Sequence, residues 1–153
     1  MARSYAVSFT AVSVTAAQDL IAIYGAAGKM CKIRRISVNI AASTLPTAVG
    51  LEVRARFLPA TVTAGSGGGA ATPQKLDNGD AAATFTARIN DTTPATTSGT
   101  AAVLESNGAH IFAGYDYQFP IPPKVGPSQA FVFELLNTVT ATLSGTVIVD
   151  EEG

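Results

Sequence analysis

Apolar side chains recur at every second position along most of this chain, in short runs closed by glycine, proline or polar clusters. Tyr5, Val7 and Phe9 share one phase and Val12 and Val14 the other, so a β-bulge is expected near Thr10 and Ala11. Leu20 to Tyr24 is a short apolar run closed by Gly25 and Gly28 and reads as a strand; Ala16, Ala17, Gln18 and Asp19 can make one helical turn before it. Lys29 to Ala41 predicts a longer strand with Ile36, Val38 and Ile40 inward and Ser37 and Asn39 outward, although its first half breaks the alternation. Val49, Leu51, Val53, Ala55 and Phe57 alternate with Glu52, Arg54 and Arg56 until Pro59 ends the run.

Phe85, Ala87 and Ile89 restore the alternation briefly, and Ala109 to Phe119 predicts one or two strands around Gly114, with Ile111, Tyr115, Tyr117 and Phe119 in phase. Pro120, Pro122, Pro123 and Pro127 then force an extended crossing with a turn at Gly126. The last third carries Phe131, Phe133 and Leu135, then Val139, Ala141, Leu143, Val147 and Val149, with Thr138, Thr140, Thr142, Ser144 and Thr146 on the opposite, wetter face. Short strands with Gly/Pro connections and no long amphipathic helix predict an all-β fold, an antiparallel β-sandwich of the jelly-roll kind. One domain, 1–153, is expected. Its long loops fall near 60–80 and 90–100, where Gly, Ala, Thr and Pro are too poor in large apolar groups to pack alone; the first is expected to lie on a partner or stay mobile.

Charge narrows the picture. Charged residues make up 14% of the chain and the net charge is −1, which gives no global field for nucleic acid or an acidic membrane. Soluble domains average about 25% charged residues, so a mean hydropathy of +0.29 predicts that part of the surface is covered by another chain. No apolar stretch reaches the roughly 18–20 residues that cross a bilayer, and the opening residues lack a signal-type apolar segment, so synthesis in a cytoplasm is expected.

Candidate chemistry is sparse. His110 is the single histidine and has no evident nucleophile or acid beside it in sequence; a strand-edge role is the better reading. Cys31 is the single cysteine, which excludes an intramolecular disulfide, and it reads as a small buried hydrophobe unless Lys29, Lys32, Arg34 and Arg35 activate it. Those four cations are expected on both faces of their strand, as a salt-bridged edge rather than a nucleic-acid stripe. Gly65 to Gly69 lacks the lysine and following helix of a phosphate loop. Asp77-Asn78-Gly79-Asp80 lacks the spaced carboxylates of a calcium loop and predicts a β-turn. Asn90-Asp91-Thr92 matches a glycosylation triplet without a secretory signal, and Asp150, Glu151 and Glu152 read as a solvated acidic terminus or a tail docking on a neighbour. No catalytic, cofactor-binding or metal-binding set is predicted.

Several stretches together carry a resemblance: Tyr5-Ala-Val-Ser-Phe9 followed by Val14-Thr-Ala-Ala-Gln-Asp19, the Gly-rich loop leading to Leu76-Asp-Asn-Gly-Asp80, Pro122-Pro-Lys-Val-Gly-Pro127, Phe133-Glu-Leu135 and Gly145-Thr-Val-Ile-Val149. Over nearly its whole length the chain resembles small all-β virion structural proteins of tailed bacteriophages. The resemblance implies a jelly-roll capsid decoration or cement protein, without enzymatic activity or cofactor. Such a protein lies on the outer capsid surface, bridges subunits of the major capsid protein and assembles as a dimer or trimer on the lattice. On that expectation 60–80, 90–100 and the N-terminal arm order against neighbouring capsid chains. The alternative is a receptor-binding or fibre-associated module that stacks host glycans on Tyr115 and Tyr117.

Overall fold

The computed structural model describes residues 2–42 and 44–153. Fourteen strands form, and no helix occurs among the described residues. They are β1 (Arg3–Val14), β2 (Gln18–Tyr24), β3 (Met30–Ile40), β4 (Gly50–Leu58), β5 (Val62–Thr63), β6 (Gly69–Ala71) and β7 (Gln74–Lys75). After them come β8 (Thr86–Asp91), β9 (Thr96–Thr97), β10 (Ala102–His110), β11 (Tyr115–Gln118), β12 (Lys124–Val125), β13 (Ala130–Leu135) and β14 (Ala141–Glu152). One sheet runs β11-β3-β14-β1-β7, with β12 also on β3; the other runs β10-β4-β13-β2-β8-β6; β5 and β9 make a small ribbon. All pairings are antiparallel. The two large sheets form a β-sandwich, as the alternation predicts.

The core is the sum of the inward phases. Tyr5, Val7 and Phe9 of β1, Ile33, Ile36 and Val38 of β3, and Leu143, Val147 and Val149 of β14 meet Ile21 and Ile23 of β2, Leu51, Val53 and Ala55 of β4, and Phe131 and Phe133 of β13. Each large apolar side chain fully removed from water contributes roughly 1.5–3 kcal/mol. Val49 departs from its predicted phase: β4 begins at Gly50, and Val49 lies outside it, 36% exposed. Val139 is buried although β14 begins only at Ala141.

Two irregularities account for the broken phases. The register of β1 against β14 shifts between Phe9 and Val12, where Ala11 adopts a φ of 50° and its amide donates to Ser144 Oγ at 2.9 Å. This is the expected bulge. In β3 the register shifts where Ile148 and Val149 face Arg35 and Ile33, which leaves Arg34 as the extra residue. Cys31 and Ile33 therefore point inward, as do Ile36 and Val38, with Arg34 and Arg35 both outside between them.

Other expectations are corrected. Gln18 and Asp19 belong to β2 rather than to a helical turn, because both are paired to β13. The strand β10 begins at Ala102, well before the predicted Ala109; it is a sheet edge with almost no buried side chain, so no alternation marks it. The N-terminal arm is β1 itself, flanked by β14 and β7.

The connection from β4 to β10 is long, but it lies on its own sandwich rather than free of it. Its strand β8 extends the second sheet beside β2, β6 adds to β8, and β7 pairs with β1. The glycines make this possible. A Cβ on Gly68 would stand 2.1 Å from the Ile89 carbonyl oxygen, and Gly67 has a φ of +92° with Thr92 Oγ1 in the space a Cβ would take. Small residues let two backbones approach where larger ones cannot.

Candidate functional site

Most of the predicted chemical residues are placed in structural roles. His110 ends β10 and is exposed; its Nδ1 accepts the Phe112 amide at 3.3 Å and its ring lies 5.1 Å from that of Phe112. No acid or hydroxyl joins it among the described hydrogen bonds. Cys31 is fully buried, and burial, with Glu151 nearby, pushes its thiol up to about 12, which leaves no thiolate at neutral pH. Asp77 to Asp80 form a turn in which the Asp80 amide donates to the Asp77 carbonyl and the Gly79 amide to Asp77 Oδ1. Among the described residues no group of three His, Cys, Asp or Glu side chains is arranged to hold a metal ion.

The basic cluster and the acidic end are one feature. The β3 bulge puts Lys32, Arg34 and Arg35 on the outer face, not on both faces as the unbroken alternation predicts. Lys32 pairs with Glu152 and Arg34 with Asp150, Arg35 pairs with Asp116, and Lys29 Nζ donates to the Gly153 carbonyl. The Arg35 and Lys32 partners hold the Asp116 and Glu152 carboxyls below their usual ranges. Nor are Asp150, Glu151 and Glu152 a solvated tail. They are the last residues of β14, and Asp150 and Glu151 are buried. Glu151 points inward and accepts the Thr84 and Phe85 amides, while Tyr5 donates to the Ala81 carbonyl, so residues 81–85 are tied across the end of the sandwich.

The aromatic residues offered for sugar stacking are mostly internal. Tyr115 is buried, stacked 5.9 Å from Phe133 and 6.3 Å from Tyr117, and Phe119 meets Phe131 edge-on at 6.0 Å. Burial raises the Tyr115 hydroxyl, and Glu105 beside it adds to the rise. An open groove nearby is lined by Leu104, Tyr117, Phe119 and the Pro120 to Pro123 segment, from which Ile121 projects.

A polar row on the outer face of the second sheet is the one arrangement that sequence reading missed. Register aligns Arg54 of β4, Glu134 of β13, Asp19 of β2 and Asp91 of β8 side by side. The three carboxylates are buried. Glu134 takes an ion pair from Arg54 and a second from Arg56 at 3.0 Å. Asp91 receives both Arg88 nitrogens and the Gly68 amide. Asp19 Oδ2 accepts the Ala95 amide at 2.7 Å, and its Oδ1 has no partner. Burial pushes Asp19 up to about 6 against the lowering effect of the Ala95 amide, with Glu134 raising it further. Only Glu134 falls in a predicted strand; Asp19 is expected in a helical turn and Asp91 in the 90–100 loop, so the pairing of β13, β2 and β8 alone brings them together.

The β4–β10 connection supplies Asp91 to the row and reaches Asp19 with its Ala95 amide. Next to it a second small core of Ala22, Leu58, Ala95, Ala130 and Val132 is covered in part by Val62 and Ala101. Of the remaining exposed apolar side chains, Met30 stands in β3, Val103 in β10 and Leu76 just after β7, and three lie on two loops. Leu45 and Val49 lie between β3 and β4, and Phe112 between β10 and β11. Antiparallel topology brings both connections to one end of the sandwich, where the Ile111 amide donates to the Val49 carbonyl. No helix among the described residues is long and apolar enough to cross a membrane. Comparison of the chain with protein-family models, curated proteins and solved structures finds no match.

Proposed function

We propose that this chain is a non-enzymatic structural protein of a tailed-phage particle, a decoration or cement protein that sits on the outer capsid surface and bridges subunits of the major capsid protein. The observation that carries the reading is one loop end of the sandwich from which Leu45 at 67% exposure and Phe112 at 44% both project, in addition to the exposed Ile121, Leu76 and Val103 elsewhere on the surface. Apolar groups concentrated on loop tips suit docking against another protein surface better than catalysis on a small molecule. The thiol is buried and His110 meets only the Phe112 amide among the described hydrogen bonds, which supports a structural role over hydrolysis.

Strand order supports the jelly-roll part of the reading. With the β4–β10 insertion and β12 set aside, the sheets run β11-β3-β14-β1 and β10-β4-β13-β2. Successive strands cross between the sheets except at β4 to β10, which are neighbours, and the first and last strands lie side by side. Two interleaved Greek keys produce that pattern, and viral capsid domains use it. Repeated on a lattice as dimers or trimers, even weak contacts at each copy sum to a stabilised shell through mass action.

The test mixes the protein with purified capsids that lack it. Saturable binding at a ratio fixed by the lattice and a higher shell melting temperature are expected. Replacing Leu45 and Phe112 together by Asp is expected to weaken binding at least tenfold while the free protein melts unchanged. Capsids that neither bind the protein nor gain thermal or mechanical resistance would overturn the proposal.

A further inference from the structure

Asp19 combines features that a purely structural carboxylate does not need. It is 2% exposed and one of its oxygens has no partner, while the other is the anchor for a backbone amide of the long insertion. A buried acceptor left without a donor costs roughly 1–3 kcal/mol, more for a charged group, so the ionised form is poorly satisfied here. The neutral form needs only an acceptor for its proton. Protonated at Oδ1, Asp19 can donate to the neighbouring Glu134 carboxylate while Oδ2 keeps the Ala95 amide; residues directly opposed across antiparallel strands have Cβ atoms about 4.5–5.5 Å apart, close enough for carboxyl groups to meet.

The charged surroundings agree. Glu134 faces Asp19 from β13 and Asp91 from β8, both disfavouring a further negative charge; Arg56 on β4 opposes them but lies in ion-pair range of Glu134, as does Arg54. Arg88 is committed to Asp91. On the same strand as Asp19, the Tyr24 hydroxyl accepts the Gly65 amide. From the insertion only the Ala95 backbone reaches Asp19 among the described hydrogen bonds. Of the other fasteners of the insertion, Gly68 on Asp91, Gly65 on Tyr24 and the Ser66–Thr93 bridge involve no group left short of a partner, whereas Glu151, which holds the Thr84 and Phe85 amides, also keeps one buried oxygen, Oε2, without a donor; the Ala95 amide is therefore the position that reads Asp19 and not Glu151.

We propose that Asp19 is a proton-held latch: with a proton shared toward Glu134 it fixes the 59–101 insertion over the outer face of the second sheet, and loss of that proton loosens the insertion. The proton moves between water and Asp19, and no other reactant is needed. Burial in the folded protein lifts the carboxyl from its ordinary 3.8 to about 6, and the insertion supplies part of that burial, so closure and proton binding favour one another. The contribution is complete below about pH 4 and is lost as pH rises through 6. This latch holds for the free chain whether or not it decorates a shell.

Hydrogen exchange at the Ala95 amide reads the latch directly. After correction for intrinsic exchange, its protection is expected to fall between pH 4 and pH 7, by about 50-fold where the whole shift of about two pKa units belongs to closure and by less where the sheet alone supplies part of it. In Asp19→Asn, which keeps an oxygen for the amide and cannot ionise, protection is expected to stay flat over that range. The wild-type protein supplies a second measurement that needs no variant: carboxyl-carbon titration of Asp19 by NMR, with a midpoint near 6. Three outcomes overturn the proposal: a midpoint below about 4.5, protection that is flat or rises with pH in the wild type, or an equal fall at the central Val147 amide, which marks global unfolding instead.

Discussion

Glu134 holds two arginines with one carboxylate. It is buried, and its Oε1 faces both Arg54 and Arg56, whose side chains are 32% and 15% exposed. Removing one partner of a buried pair leaves charge without compensation at a cost of roughly 3–5 kcal/mol when burial is complete. Water reaches Arg54, so Glu134→Ala is expected to cost somewhat less, about 2–3 kcal/mol by urea unfolding. Arg54→Met is expected to cost under about 1 kcal/mol, since Glu134 keeps Arg56. Equal losses from the two changes would show that the row acts as one network rather than around Glu134. Sequence shows Arg54 and Arg56 as an outward polar phase, and that much is legible. It does not show Glu134 as their partner, because the pairing joins strands 80 residues apart.

At the level of the strand, alternation is a faithful guide wherever one face is buried and fails wherever neither is. The inward phases of β1, β4 and β13 stand in the sequence nearly residue for residue, and the β1 bulge is legible because the phase flips at Ala11. The β3 bulge is visible only as a break, since two adjacent arginines give no sign of which is the extra residue. In β10 both faces are wet and Glu105, Ser106, Asn107 and Gly108 carry no period, so the strand exists through its pairing to β4 alone. The β1 bulge has a measurable cost. Ala11 occupies the left-handed region at φ 50°, which disfavours an L-residue with a Cβ by about 1–2 kcal/mol. Glycine removes that strain but adds roughly 0.4–1 kcal/mol of unfolded-chain entropy. Ala11→Gly is therefore expected to stabilise the protein by about 0.5 kcal/mol net, seen as a rise in the urea midpoint at unchanged slope. A fall in the midpoint would mean that the bulge is held by the Ala11 methyl and not merely tolerated.

For the molecule as a whole, the insertion is where composition misleads. Glycine-rich, weakly apolar chain reads as uncommitted because its own side chains bury little; what fastens it are backbone amides reaching Tyr24, Asp91 and Asp19 on strands elsewhere. Such anchoring leaves no local period. The opposite holds for the chain ends. Strands β1 and β14 pair along nearly their full length at the middle of the first sheet, with Arg3 opposite Glu151. Directly opposed residues in antiparallel strands have Cα atoms about 4.5–5.5 Å apart, so a short loop can join the ends as it would in a hairpin. A circular permutant joined there and opened between Asn78 and Gly79, in an exposed turn, is expected to keep the far-UV spectrum and melt within a few degrees of the parent. One opened between Ser144 and Gly145 cuts β14 where it pairs with both β1 and β3, so neither fragment of that strand can hold both neighbours in register. It is expected not to fold. Should the second permutant fold as well as the first, the central pairing of β1 with β14 would not be what closes the sandwich, and the insertion's grip on the opposite sheet would have to carry that role.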